Sequence, residues 1–372
     1  EQENRLQRLF IDRVQSEFSA VLGKLDPEWL YGLIAQYTVH KLFGPDRLLK
    51  KYLSRPEIKR RSPRERDFLQ SQLFSPWRFS FMQVEKDLGS DFFEMRDVLT
   101  DEGFLLFSPA VDKYEAEQQV SFYFTLLFFN GQCRQTYGPI LAFTGLQPFD
   151  LLFYAGQLQE KSAGLMDVEE MTQKDPLPFM MLALAGNFPL TYYKQDLAIN
   201  HLTELEIDSL NLEAWRDDFK IEEKEGVYQL NLKRWRQHPH FAHIYFAPSD
   251  RKFTAFSATE RGWDKLVAGI KRQGLDFPCR PDFKATMAGA AAVRRLLDQD
   301  PFLSPYAAIF EPEISPEKEQ EIEALNHFFE LLIPYLNAGE EYDLAELARK
   351  AGIDRENAAL LAEQMEEKLK DT

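Results

Sequence analysis

Cysteine is almost absent from this chain. Two residues in 372, Cys133 and Cys279, exclude a disulfide framework and a cysteine-only zinc site, and they suggest a reducing, cytoplasmic setting. Positive charge is also short. Lys plus Arg number 44 against 60 Asp plus Glu, a net charge of −16, which opposes non-specific binding to nucleic acid or anionic membrane. Long apolar runs are missing: the stretch Val120 to Phe129 ends after ten residues at Asn130-Gly131, too short to span a bilayer as a helix. The start, Glu1-Gln2-Glu3-Asn4-Arg5, lacks the positive charge and apolar run of a secretory signal. It also lacks an initiator Met, which leaves the numbering free to begin inside a longer gene product. Phosphate loops of the Gly-x-x-x-x-Gly-Lys and Gly-x-Gly-x-x-Gly types do not occur, nor does a Gly-x-Ser-x-Gly elbow. No period of 20–50 residues recurs, which excludes a solenoid.

What is present reads as an α+β protein. Leu6, Leu9, Phe10, Val14, Phe18, Val21 and Leu22 recur at spacings of three and four and predict a helix. Asp26-Pro27-Glu28 is an N-cap followed by proline at the first helical position, and the helix it opens stops at Gly44-Pro45. With shorter helices over 46–53 and 63–73, residues 1–76 form a helical region. Alternation begins at Trp77 and strand-like runs follow over 91–98, 103–108, from Val120, and over 137–143. These predict a small antiparallel β barrel or bent sheet within 77–160, closed by a helix from Pro148. Residues 160–175 are polar and read as a linker. Strands over 190–198, 204–210, 226–232, 242–246 and 253–257, with a helix over 259–273, make a second αβ unit at 176–275. From Asp282 the pattern is helical only, over 282–297, 315–336, 343–351 and 354–370. Residues 282–372 are therefore an all-helical C-terminal region.

Within the β unit, Asn130-Gly131 is the favoured pair for a two-residue hairpin turn. That register sets Phe128 beside Cys133 and Phe124 beside Tyr137, with Phe122, Phe124, Leu126 and Phe128 facing a core.

Two stretches resemble known proteins. The aromatic strand Trp77-Arg78-Phe79-Ser80-Phe81, followed by Met95-Arg96-Asp97-Val98-Leu99-Thr100-Asp101-Glu102, is similar to a segment of uncharacterised bacterial proteins, where the usual form is LRDLLTGE. Some of those carry a C-terminal SEC-C zinc motif. The stretch 242–270 resembles a later part of them, and together the likeness covers about half of the chain. It implies a fold relationship and no enzymatic activity. The Cys-x-Cys pair of the zinc motif is absent here.

Candidate chemistry is sparse, and no catalytic residue stands out. His238-Pro239-His240-Phe241-Ala242-His243 gathers three of six histidines, the commonest zinc-ligand type. A strand would send His240 and His243 to opposite faces, so His238, His240 and His243 read as solvent-facing histidines rather than a metal site. The segment 55–66 is the only dense basic stretch. Glu57, Glu65 and Asp67 dilute it and no aromatics are interleaved for base stacking, so it reads as a solvated connector. Arg60, Arg61 and Arg64 are its candidate contacts for an anion or a partner. The small-residue run from Ala285 to Ala292 reads as a closely packed core helix. Leu344–Leu361 has helix-turn-helix spacing, with Gly352 at the turn, yet Asp354, Glu356, Glu363, Glu366 and Glu367 oppose DNA. The leading expectation is a non-enzymatic binding or regulatory protein of the bacterial cytoplasm that uses no cofactor. Its contacts, to a protein partner or a small ligand, lie across domain boundaries, without nucleic acid or membrane. The alternatives are a metal-dependent hydrolase centred on the three histidines and a DNA-binding regulator using the C-terminal helices.

Overall fold

The computed structural model describes residues 2–23, 26–45, 48–111, 120–159, 164–185, 190–193, 196–233, 235, 240–310, 316–338 and 342–370. The chain divides into two compact units, Glu1–Ile309 and Phe310–Thr372.

The first unit opens with helices α1 (Gln2–Glu17), α2 (Pro27–Phe43) and α3 (Pro63–Ser71). Asp26 caps α2 by accepting from the Glu28 N–H, with Pro27 in the first turn. Ser62 and Glu65 form a reciprocal capping box on α3. Five strands follow: β1 (Arg78–Gly89), β2 (Phe92–Asp97), β3 (Gly103–Phe107), β4 (Phe122–Phe129) and β5 (Arg134–Phe143). They close in the order β1-β2-β3-β5-β4 into a ring. Every pairing is antiparallel except the closing one, where β3 runs parallel to β5 through Leu106↔Arg134 and Phe107↔Gln135. Met82, Phe93, Met95, Leu106, Tyr123 and Leu127 pack together inside the ring. Phe79, Phe81, Phe122, Phe124 and Phe143 face the other way and join a core with Phe10, Leu33 and Tyr37 from the N-terminal helices. Strand β4 is apolar except for Thr125, which the Gln36 amide satisfies, because both of its faces are covered.

The hairpin differs from its expected register by two residues. Asn130 N donates to the Cys133 carbonyl, so Gly131-Gln132 forms the turn, and the Asn130 side chain accepts from the N–H groups of Gln132 and Cys133. Phe128 therefore pairs with Gln135 and Leu126 with Tyr137. Parity survives a shift of two. Phe122, Phe124 and Leu126 are fully buried, as expected, and so are Tyr123 and Leu127 on the opposite face.

Residues 95–102 end β2 and form the β2–β3 turn. Asp97 accepts from the Leu99 and Thr100 N–H groups and from the Ser80 hydroxyl. Asp101 stands at φ 61, a left-handed position that favours glycine. Glu102 bridges Arg78 and Arg134 at 2.6 and 2.9 Å.

Helices α4 (Pro148–Gln159), α5 (Leu165–Lys174) and α6 (Leu177–Ala185) come next. The expected linker is thus largely a helix. Val168 and Thr172 are buried at helical spacing, and the Gln173 amide bonds both to the N–H and to the carbonyl of Phe79, docking α5 on β1. The second sheet holds β6 (Tyr192–Tyr193), β7 (Asp196–Glu206), β8 (Phe219–Lys224), β9 (Val227–Leu232), β10 (Ala242–Ala247), β11 (Lys252–Thr259) and β12 (Phe283–Thr286). Its order is β12-β7-β11-β10-β9-β8, with β6 paired to β7. Strand β7 is continuous where two strands were expected. Helix α7 (Glu260–Arg272) covers one face through Trp263, Leu266 and Ile270. The run from Asp282, expected to be helical, begins instead with β12. Thr286 then caps α8 (Met287–Leu297) by accepting from the Gly289 N–H, and Ala288, Ala292 and Val293 join the core that Phe79 and Phe81 share with the N-terminal helices.

The second unit is helical: α9 (Pro316–Ala338), α10 (Leu344–Ala351) and α11 (Arg355–Lys370) enclose Phe328, Leu332, Leu347, Ala351 and Ala358. Asp343 caps α10, and Gly352 takes the left-handed turn at φ 75. No described helix is long and apolar enough to cross a membrane.

Candidate functional site

A cleft of about 380 Å³ lies between α4, the first turns of α7 and the segment 279–284 that enters β12. Each wall has a local cause. Thr259 ends β11 and caps α7, accepting from Gly262 N at 3.1 Å, which sets Glu260 in the first helical turn, where the helix dipole favours an acid. The carboxylate of Glu260 receives Lys284 Nζ at 2.8 Å and lies 3.0 Å from His201 Nε2. Burial works to raise the Glu260 carboxyl, but the bonds from Lys284 and His201 outweigh it and hold the group below the ordinary carboxylate range.

His201 stands behind Glu260 on β7, fully buried and stacked on Trp263 with ring centroids 5.7 Å apart. Burial pushes it below the usual imidazole range against the pull of Glu260. A neutral ring has one N–H, and its two nitrogens face the Ile199 carbonyl at 2.9 Å and the Glu260 carboxylate. Both partners are acceptors, so a neutral ring donates to only one of them at a time. His201 thus fixes Glu260 from behind and does not reach the cleft.

The opposite wall is Phe149, Leu152 and Phe153 of α4, with Lys284 Nζ 5.0 Å from the Phe149 ring centroid. Trp263 pins the remaining segment by donating from Nε1 to the Cys279 carbonyl at 2.9 Å. Lys271 approaches the Cys279 thiol at 2.8 Å. Asp282 is held by its own N–H to Thr203 and by its carboxylate to the Glu204 N–H. Arg280 is exposed and has no ion-pair partner among the described residues. The cleft therefore combines an aromatic wall, an internally neutralised Glu260–Lys284 pair and one uncommitted guanidinium. Its thiol meets Lys271 rather than an imidazole.

The expected site residues lie elsewhere. His238 is outside the described residues. His240 bonds Thr259 Oγ1 at 3.1 Å and lies 3.5 Å from Asp196. His243 sits on β10 between Tyr245 and Phe256, where burial lowers it to about 4. The two rings, expected to face solvent, are instead packed against these separate partners, and they do not converge. Among the described residues, no group of three His, Cys, Asp or Glu side chains is placed to hold a metal ion. Arg61 and Arg64 line one groove with Phe68, and Arg60 is not part of that lining. Sequence reasoning did not find Glu260, Lys284, His201 or Arg280. The one local signal was the cap at Thr259, which places an acid in the first turn of a helix but names no partner for it. No protein-family model matches the chain, and no curated protein matches it.

Proposed function

We propose that this is a non-enzymatic binding protein of the cytoplasm that holds a small, flat, anionic molecule in the cleft between α4 and α7. The observation that carries this reading is Arg280, an exposed guanidinium without an ion pair among the described residues, lining a cleft whose wall is aromatic. A planar guanidinium matches a carboxylate in two parallel hydrogen bonds, and the Phe149–Phe153 wall offers a face for a ring. The charges of the lining sum to zero, Glu260 and Asp282 against Lys284 and Arg280, so a ligand anion would be held by its direct contact with Arg280. The volume lies near the lower end for small-molecule sites. Isothermal titration with a series of aryl carboxylates and their neutral amides tests the reading. The acids should bind about 10- to 100-fold tighter than the amides, as one charge-assisted contact provides. Arg280→Ala should erase that difference while leaving the melting temperature unchanged. Equal binding of acid and amide, or no binding of either, rejects the proposal.

A further inference from the structure

A second surface, remote in sequence from the cleft, lies on the N-terminal helices. A groove of about 490 Å³ runs between α2, Leu49 and the helical turn Pro56–Lys59, floored by Val39, Leu42, Phe43 and Ile58. A second groove of about 510 Å³ adjoins it through the shared residues Ile58 and Leu69, and adds Arg61, Arg64 and Phe68. Phe68 is 42% exposed, and three cations, Arg55, Arg61 and Arg64, line the grooves with two acids, Glu57 and Glu65. The segment 55–66 carries six cations against two acids in a chain of net charge −16. One of those acids, Glu65, is committed to the capping box with Ser62. Arg61 reaches Glu65 at 3.4 Å in a pair exposed on both sides, and Arg64 has no ion pair among the described residues.

We infer that these grooves dock an acidic amphipathic helix of a protein partner. Charge complementarity selects the sign: the basic rim of an acidic protein is the place where a negative ligand is attracted rather than repelled. Shape selects the form. The apolar residues line concavities between helices, which receive the apolar stripe of a further helix, while its flanking acids meet Arg55, Arg61 and Arg64. A membrane surface would call for a protruding apolar face instead. This surface shares no residue with the cleft, so its test is independent of the ligand proposed there.

The test is fluorescence anisotropy on the full chain with a labelled helical peptide carrying leucines at i, i+3, i+4 and i+7 and glutamates on both flanks. A copy with lysine for glutamate and vesicles of phosphatidylcholine with phosphatidylserine are run alongside. The acidic peptide should saturate at least about tenfold tighter than the lysine version and weaken with added salt. Arg61→Glu with Arg64→Glu should remove that preference, and Phe68→Ser should weaken binding with the melting temperature unchanged. Equal or tighter binding of the lysine peptide overturns the inference, as does the absence of saturable binding. Arg61- and Arg64-dependent capture by vesicles, or self-association lost in Phe68→Ser, assigns the grooves to lipid or to a second copy and overturns it too.

Discussion

Asp97 shows how a motif can be visible in sequence while its meaning is not. The stretch Met95–Glu102 stood out as a pattern, and the structure explains it as the chemistry of a turn: a buried carboxylate satisfies two backbone N–H groups and a serine hydroxyl. Asp97→Ala should cost about 2–4 kcal/mol in urea unfolding, because it leaves those donors unpaired. Asp101→Gly should do the reverse and add up to about 1 kcal/mol, since glycine adopts positive φ without strain. A loss of stability in Asp101→Gly would show that its contact with Arg96 outweighs the backbone term. His40 makes a different point. It is buried against Phe79, neither ring nitrogen has a hydrogen-bond partner among the described residues, and burial pushes it down to about 3. The unfolded chain takes up that proton near pH 6.5 and the native state does not until about pH 3, so stability falls as pH drops through this window. His40→Leu should reduce the dependence by about one proton, roughly 1.4 kcal/mol per pH unit, measured by urea unfolding at intervals from pH 7 to 4. An unchanged slope would assign the acid sensitivity to other groups, such as His243. The two thiols should also separate cleanly. Cys279 is exposed and Cys133 is buried, so iodoacetamide should add once to the native protein and a second time only after unfolding.

At the scale of elements, caps and periodicity were readable and partners were not. Asp26 acts as the N-cap that the sequence marks, and Ser62 and Asp343 cap their helices as well. The polar stretch after Gln159 looked like a linker because a helix that docks by a narrow stripe needs few apolar residues, here Val168 and its neighbours. Strand β12 was hidden by its brevity and by the small-residue run that follows it. That run was read as a closely packed helix, and the structure identifies what it packs against. Asp150, fully buried on α4, accepts from Thr286 N at 2.7 Å, Thr286 Oγ1 at 3.0 Å and Gln147 N at 2.7 Å. Burial pushes its carboxyl up to about 7 in spite of these bonds. A Cβ on Gly289 would stand 2.2 Å from Asp150 Oδ1, so the helix can start here only with a bare α-carbon. Gly289→Ala should therefore destabilise by about 1–3 kcal/mol, although alanine is the better helix former. Ala291→Gly, two positions on, is the control and should cost about 1 kcal/mol from propensity alone. A Gly289→Ala variant as stable as the parent would mean that α8 can draw away from α4 without loss.

For the whole molecule, the α+β class was legible because strand and helix periods differ and the chain keeps each over long stretches. The cleft was not legible, for a geometric reason. Its side chains come from 149–153, from 260–263 and from 279–284, with His201 behind them, and only the pairing of β12 with β7 and the docking of α4 on β12 bring these segments together. Charge is the global property that reads directly from composition, and it bears on the helix pair α10–α11. Leu347, Ala348, Ala351 and Ala358 pack in the core of the second unit, and Gly352 makes the turn between the helices, so the geometry of two crossing helices is satisfied. The outer surface is another matter. Asp354 and Glu356 flank Arg355 at the start of α11, Glu363 lies farther along the same helix, and the chain as a whole carries −16. DNA binding draws its affinity from cations that displace condensed counterions, and carboxylates along the same helix work against it. The expected outcome is no shift of a random duplex in a gel at about 50 mM salt, the condition that most exaggerates electrostatic affinity. A clear shift that vanishes in Arg355→Ala would show that α11 presents its cation and turns its acids away. The net charge would then be a poor guide to that surface, and the helix pair would belong to nucleic acid.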